Sequence, residues 1–368
     1  MQITLVQMIG QFGGILQNQL FPAMSEELGP LSNKQEQLIR TLAILGLEGF
    51  VVSRQGLVGR PPVDRSAIAR ALVAKAVYNF PTTEALIDRL KNDAALRRLC
   101  GWETASHVPD KTVLSRAFAR FAADQFPQRV HEALIEKTQK ERLIGHISRD
   151  ATAIEAREKP QVKPQAEPAA IKTKKPRRKR GEPKPPEQIK RIERQPSMSL
   201  EEMLADLPKC CDVGTKTNSK GKKDSWTGYK LHLDVGDGQI PISGILTSAS
   251  VHDSQVAIPL ATITAKRVIN CYDLMDKGYD ADGVRNYSVG LGHVPLIDRV
   301  QRGEIPVKML PHEASRFRER TAIERVYSRL KDEFGGRFVR VRGHAKVMAH
   351  LMFGLLALTV DQILRLQT

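Results

Sequence analysis

Cysteine is scarce: four residues in 368, Cys100, Cys210, Cys211 and Cys271. They form no Cys-x-x-Cys pair and no disulfide-like framework, so neither structural zinc nor a cross-linked secreted scaffold is expected, and a reducing interior is the default. Long apolar runs are missing too. The longest, Leu351 to Val360, falls short of the roughly 20 residues that a bilayer needs, so no membrane span is expected. The start, Met1-Gln2-Ile3-Thr4, has neither a basic segment nor a small-residue cleavage site, which argues against a signal peptide. Acidic side chains are in deficit: 41 Asp and Glu stand against 57 Lys and Arg, a net charge of +16. A balance that basic favours a polyanionic partner such as nucleic acid over a merely solvated basic surface on an ordinary enzyme.

What is present suffices for folded domains. Apolar residues make up 41% of the chain, which excludes wholesale disorder, and 368 residues correspond to two or three domains. No internal repeat is visible. The first 140 residues read as helices. Ser66 to Phe80 is rich in Ala, Leu and Val and stops at Pro81. Thr82 or Thr83 caps a next helix, which runs through Leu86, Leu90 and Leu96 to about Gly101. Pro109-Asp110 opens another, with Val113, Leu114, Ala117, Phe118 and Phe121 at helical spacing and Arg116 and Arg120 on the opposite face. That pattern fits a helix-turn-helix DNA reader and equally a helical bundle with one charged side.

Composition then shifts. Lys159 to Arg194 holds thirteen Lys and Arg against four Glu, and eight prolines lie between Pro160 and Pro196. Such a segment cannot bury enough apolar surface to offset its chain entropy, so a disordered basic insert is expected over residues 155–212. It suits electrostatic contact with phosphates or a solvated spacer. Beyond it, Tyr229 to Val235 and Ile240 to Thr247 alternate like strands around the turn Gly236-Asp237-Gly238. Val256 to Ala265 reads as helix, Val268 to Leu274 and His293 to Ile297 as strands, and Ala314 to Phe334 and Ala345 to Leu366 as helices. Strands followed by alternating helices indicate an α/β core over residues 141–368, after a helical domain over residues 1–140.

Three acidic residues hold special places. Asp150 follows the strand-like run Leu143 to Arg149, Asp276 lies just past the Val268–Leu274 strand, and Glu324 sits inside a helix. Strand ends facing a helix are where an α/β sheet gathers side chains from distant parts of the chain. Three carboxylates gathered there repel unless cations lie between them, and carboxylate oxygens suit Mg²⁺ or Mn²⁺. Phe317, Arg320 and Lys331 share an arc of roughly 60° with Glu324 on one continuous helix. That face presents a carboxylate flanked by two phosphate-holding cations, or else a solvated helix with ordinary charge pairs.

These residues resemble the DDE transposases of bacterial insertion sequences. Phe317, Arg320, Glu324 and Lys331 are similar to the family's Tyr-x2-Arg-x3-Glu-x6-Lys signature, with Phe in place of Tyr, so the hydroxyl of that position is missing. Asp276-Lys277-Gly278-Tyr279-Asp280 resembles the segment with the second catalytic Asp, and Asp150-Ala151-Thr152-Ala153-Ile154 the first. Asp273 is an alternative second ligand; the Lys-Gly-Tyr-Asp that follows Asp276 favours the latter. Trp226 to His232, Val251-His252-Asp253-Ser254, Pro109 to Arg116 and Arg342 to Val347 are also similar to family segments. The likeness covers roughly residues 60–150 and 212–366, and the long interval between Asp150 and Asp276 reflects the insert.

The resemblance implies a ribonuclease-H-like catalytic core with an N-terminal all-helical domain, acting in the bacterial cytoplasm or nucleoid. It implies that Asp150, Asp276 and Glu324 bind two Mg²⁺ or Mn²⁺ ions and are catalytic. Arg320 and Lys331, with Arg116 and Arg120, are the expected DNA contacts. Double-stranded DNA, as element ends and target, is the implied substrate, handled by a homodimer or larger synaptic assembly. The rival readings are a catalytically inactive, repurposed DNA-binding protein and a nuclease on the same fold without strand transfer.

Overall fold

Capping side chains set the boundaries of the N-terminal helices. The computed structural model describes residues 30–51, 63–161, 189–217, 221–299 and 308–367. Ser32 and Gln35 close a reciprocal cap on α1 (Asn33–Leu45), and Gly46 ends it in the left-handed region. Asp64 accepts from the Ser66 N–H at 2.8 Å to open α2 (Arg65–Val77). Thr82 caps α3 (Thr83–Asn92) through the Ala85 N–H. The helix expected to run on to Gly101 is in fact two. Asp93 adopts an extended conformation, ends α3, and accepts from the Leu96 N–H at 2.9 Å to start α4 (Ala94–Cys100). A carboxylate that satisfies a new helix N-terminus outweighs continuation of the old one. Two more helices, α5 (Lys111–Ala123) and α6 (Phe126–Gln139), complete this part.

The remainder is a six-stranded mixed sheet with helices on both faces. Strand β1 (Leu143–Glu155) lies between β3 (Lys223–Gly236), antiparallel, and β5 (Ile269–Met275), parallel. Strand β6 (Val294–Ile297) extends the parallel side. On the other side, β2 (Asp212–Thr217) and β4 (Ile240–Ser248) both pair with β3. Gly228 marks where β3 passes from β2 to β1: its φ is 152°, and any Cβ there would collide with the Ile154 carbonyl oxygen.

Alternation along β3 sorts the two faces. Leu231, Leu233 and Val235 join the main core, beneath α12 (Thr321–Asp332) and α13 (His344–Arg365). His232 and Asp234 point the other way, toward α9 (Ser254–Arg267), where Asp234 meets Thr264. The sheet is thus apolar on one side and carries a buried polar layer on the other.

Helix α13 is apolar on all sides because it is buried on all sides. It is long and apolar enough by composition to span a membrane, yet 83% of that stretch lies inside the protein. Phe353 packs against Phe118 of α5 and Phe126 of α6, with ring centroids 6.3 and 6.2 Å apart. One hydrophobic cluster therefore joins the N-terminal helices to the sheet.

Two further expectations need correction. The insert is not extended throughout: α7 (Arg191–Arg194) and α8 (Leu200–Asp206) are folded, and Arg191 ties them to Asp206 at 2.6 Å. Leu207 then packs with Val256 and Leu260 of α9. The proline- and lysine-rich stretch 162–188 lies outside the described residues. The helix around Glu324 is also interrupted. After α10 (Asp282–Gly290), the chain forms α11 (Pro311–Phe317), a 3₁₀ turn over Arg318–Arg320, and only then α12. The tighter turn breaks the continuous helix expected from Phe317 to Lys331, although the Arg320 guanidinium still lies 5.8 Å from the Phe317 ring centroid.

Candidate active site

Parallel pairing of β1 with β5 decides which acids meet. The register sets Arg149 beside Met275, so Asp150 and Asp276 follow on neighbouring strands. Asp150 accepts from the Ala151 N–H at 2.8 Å, and its side chain is 17% exposed. Asp276 leaves the strand and caps the 3₁₀ turn Lys277–Tyr279, accepting from the Gly278 N–H at 2.9 Å. Burial pushes the Asp150 carboxyl up to about 6, and the Asp276 charge adds to the rise against the Ala151 hydrogen bond and Arg320. Burial raises the Asp276 carboxyl as well, with Asp253 adding to it.

Asp273 is engaged elsewhere. It is buried, accepting from Asn270 Nδ2 at 3.1 Å and lying 3.2 Å from His293 Nδ1. Burial alone would raise its carboxyl, but His293 and Arg149 together hold it below the usual carboxylate range. Three positions separate it from Asp276, an odd number, so the two side chains leave the strand on opposite faces.

Arg320 stands between the first acid and the third. Its guanidinium is 3.8 Å from Asp150 and donates to Glu324 at 3.1 Å. Glu324 itself is 58% exposed, at the rim. Lys331 is two turns further along α12 and donates to Thr152 Oγ1 on β1 at 2.7 Å. Burial lowers the Lys331 ammonium, and nearby Arg337 lowers it further. Arg116 and Arg120 lie exposed on α5, Arg120 at 3.6 Å from Asp124, and neither contacts these carboxylates.

The donor chemistry of Asp150 and Asp276 fits a hard divalent cation: two partly buried carboxylates, each held by a backbone N–H, with the Asp276 charge disfavouring that of Asp150. Glu324 is not drawn in beside them. Among the described residues, no group of three or more His, Cys, Asp and Glu side chains is gathered as a metal ion requires.

Residues 143–360 match the family model described as Transposase DDE domain, more than half of the chain. The chain belongs to the DDE transposase family. Residues 36–120 match a second family model, Transposase domain (DUF772), which covers the helical part. No curated protein matches the chain. Membership implies DNA as the partner and dependence on divalent metal in general terms.

The surroundings of the candidate site in this transposase include residues to which the sequence alone gave no role. Asp253, at the start of α9, and Asp276 both reach the space above Gly278, where a Cβ would lie 3.0 Å from Asp276 Oδ1 and 3.4 Å from Asp253 Oδ2. Lys230 donates to Asp253 Oδ1 at 3.0 Å and to the Val251 carbonyl at 2.8 Å. Tyr327 of α12 donates to the Asp150 carbonyl at 2.6 Å, tying the helix to β1. The Tyr279 hydroxyl is buried with no hydrogen-bond partner among the described residues. Beneath the site, Arg149 Nε and Nη2 donate to the two oxygens of Asp234 at 2.8 and 2.7 Å. The segments containing Lys230, Asp253 and Tyr279 resemble family segments, and that likeness was the one available signal. The Arg149–Asp234 pair had none, because the two are 85 residues apart.

Proposed function

We propose that the chain is an active DDE transposase that cuts element ends and joins the freed 3′-hydroxyl to target DNA. The observation that carries this reading is the placement of Asp150 on β1 beside Asp276 at the end of the adjacent parallel strand β5, with Arg320 reaching from Asp150 to Glu324. Asp150, Asp276 and Glu324 would hold Mg²⁺ or Mn²⁺, and two such ions, when bound, activate the attacking oxygen and stabilise the leaving one.

The protein's own groups do the rest. The Ala151 and Gly278 N–H groups fix the orientation of the two aspartates. Arg320 has a planar fork suited to a phosphodiester, and it exchanges Glu324 for the DNA phosphate as the third carboxylate turns inward. Lys331, held at Thr152, sets a point charge further along the same strand and keeps the backbone in register. Two ends are cut and joined together, so a homodimer or larger synaptic assembly is the working form, in the bacterial cytoplasm or on the nucleoid. Arg116 and Arg120 are DNA contacts of the helical domain.

One observation favours the rival, a repurposed DNA-binding protein without catalysis: Glu324 is exposed and engaged by Arg320 rather than facing the aspartates. The test is cleavage and joining in vitro, with DNA from the ends of the element that encodes the chain, in Mg²⁺ and in EDTA. Joined product in Mg²⁺ alone supports the transposase. Cleavage without joining, when a 3′-hydroxyl donor end is supplied, indicates a nuclease, and binding without cleavage the repurposed protein.

A further inference from the structure

A cleft of about 520 Å³ opens between the N-terminal helices and the segment that links α12 to α13. Six cationic side chains line it: Lys75, Lys111, Arg157, Arg340, Arg342 and Lys346. One carboxylate, Glu84, faces them, and it is paired with Lys111. Among the described residues Arg157, Arg340, Arg342 and Lys346 make no ion pair, and all four are exposed. The floor is apolar, with Leu114, Phe118 and Phe353.

Lys75 is the telling member. It projects from α2 into the cleft, is largely withdrawn from water, and has no ion-pair partner among the described residues. Desolvation pulls its ammonium down to about 8 despite Glu84. Burial costs this ammonium more than Glu84, which is paired with Lys111, gives back, and an anion entering the cleft supplies the missing charge.

The cleft lies in line with the acidic site. Strand β1 carries Asp150, then Thr152 with Lys331 bonded to it, and Arg157 just beyond its end. The chain is extended from Asp150 to Glu155 and bends at Arg157, so the two residues lie at most about 23 Å apart. At about 3.4 Å per nucleotide along a strand, that distance corresponds to about seven nucleotides. Arg320, Lys331 and the cleft cations thus follow one another away from the aspartates, with Glu155 and Asp332 the acids beside Lys331.

We propose that this cleft is a second DNA-backbone site, which takes phosphates within about seven nucleotides of the one held at Asp150 and Asp276. The inference rests on the transposase reading and adds to it the surface on which the DNA lies. The apolar floor accommodates sugar faces between successive phosphates, and the cations at the rim neutralise them. Because Lys75 comes from the helical part and Arg157, Arg340 and Arg342 from the core, DNA in the cleft clamps the two together.

The test uses the full chain and a fluorescent 30-base-pair duplex, with anisotropy measured from 50 to 200 mM NaCl. Arg157→Ala, Arg340→Ala, Arg342→Ala and Lys346→Ala, combined in one variant, are expected to reduce the slope of log affinity against log salt by about 3 to 4. Lys75→Met is expected to weaken binding while its melting temperature holds or rises, because the uncompensated charge is gone. A parental slope in the quadruple variant, or parental affinity in Lys75→Met, overturns the proposal. So does a result in which an oligoglutamate peptide, but not DNA, distinguishes parent from variant, since the cleft would then serve an acidic protein segment. Failure of the parent itself to bind duplex DNA would overturn the transposase reading along with this one.

Discussion

Replacing Arg149 with Met should destabilise the protein by about 3–5 kcal/mol, the cost of breaking a buried pair by removing one partner. Arg149 and Asp234 are 1% and 0% exposed and are joined by two hydrogen bonds. Asp273, also buried, lies within the field of the same guanidinium. Without Arg149, Asp234 keeps only the Thr264 hydroxyl, at 2.6 Å, against its burial. Its carboxyl, already raised by burial in the intact protein, would then fold in the protonated form. The sign of the pH effect follows. A group whose folded pKa is raised contributes stability at low pH that is lost as pH rises, so the deficit of Arg149→Met should shrink between pH 7 and pH 5. Adding Asp234→Asn removes the stranded charge, and the double variant should recover about half of the loss. Urea unfolding followed by circular dichroism at pH 5 and 7 reads all three effects. A deficit under about 1 kcal/mol, or one independent of pH, would show that the pair does not hold β1, β3 and β5 together beneath Asp150 and Asp276.

Four other outcomes follow from the same contacts. Tyr279→Phe deletes a buried hydroxyl with no partner among the described residues, so the melting temperature should hold or rise; a fall of several degrees would reveal a hydrogen bond. Burial lowers His131 to about 3 and His232 and His350 to about 4, so these groups bind protons in the unfolded chain first. Stability should therefore be lost as pH falls from about 6.5 to 4, with Asp150 acting in the opposite sense, and a flat profile of urea midpoints would refute it. Arg320→Lys and Lys331→Ala should each slow joining by about 10- to 100-fold with little change in melting temperature; near-parental joining would leave both as surface charge. Deleting residues 162–188 while keeping α7 and α8 should leave the fold intact, whereas deletion through Leu207 should destabilise it by removing its packing on α9, as thermal unfolding would register.

Local chemistry was legible where a single side chain decides the outcome. Thr82 announces the start of α3, the Gly236-Asp237-Gly238 turn announces the β3–β4 hairpin, and the apolar run of α13 announces a buried helix. Asp93 misled because it breaks one helix by capping another, and periodicity does not record that competition. The 3₁₀ turn at Arg318–Arg320 was hidden for a similar reason: its residues suit a helix, and the tightening is tertiary. For the site, Asp150 and Asp276 stood out through position relative to strands. Their register, the interposed Arg320 and the buried Arg149–Asp234 pair depend on contacts between residues far apart in the chain, which spacing does not carry.

The central claim is that carboxylates, rather than bound DNA alone, perform the chemistry. The direct measurement compares the parent with Asp150→Asn and Asp276→Asn on end-labelled element DNA in Mg²⁺, scoring duplex affinity and 3′-end joining on the same preparations. Parental affinity with no joining is expected of both variants, because these side chains serve metal and not DNA. Joining at the parental rate by either variant would contradict it.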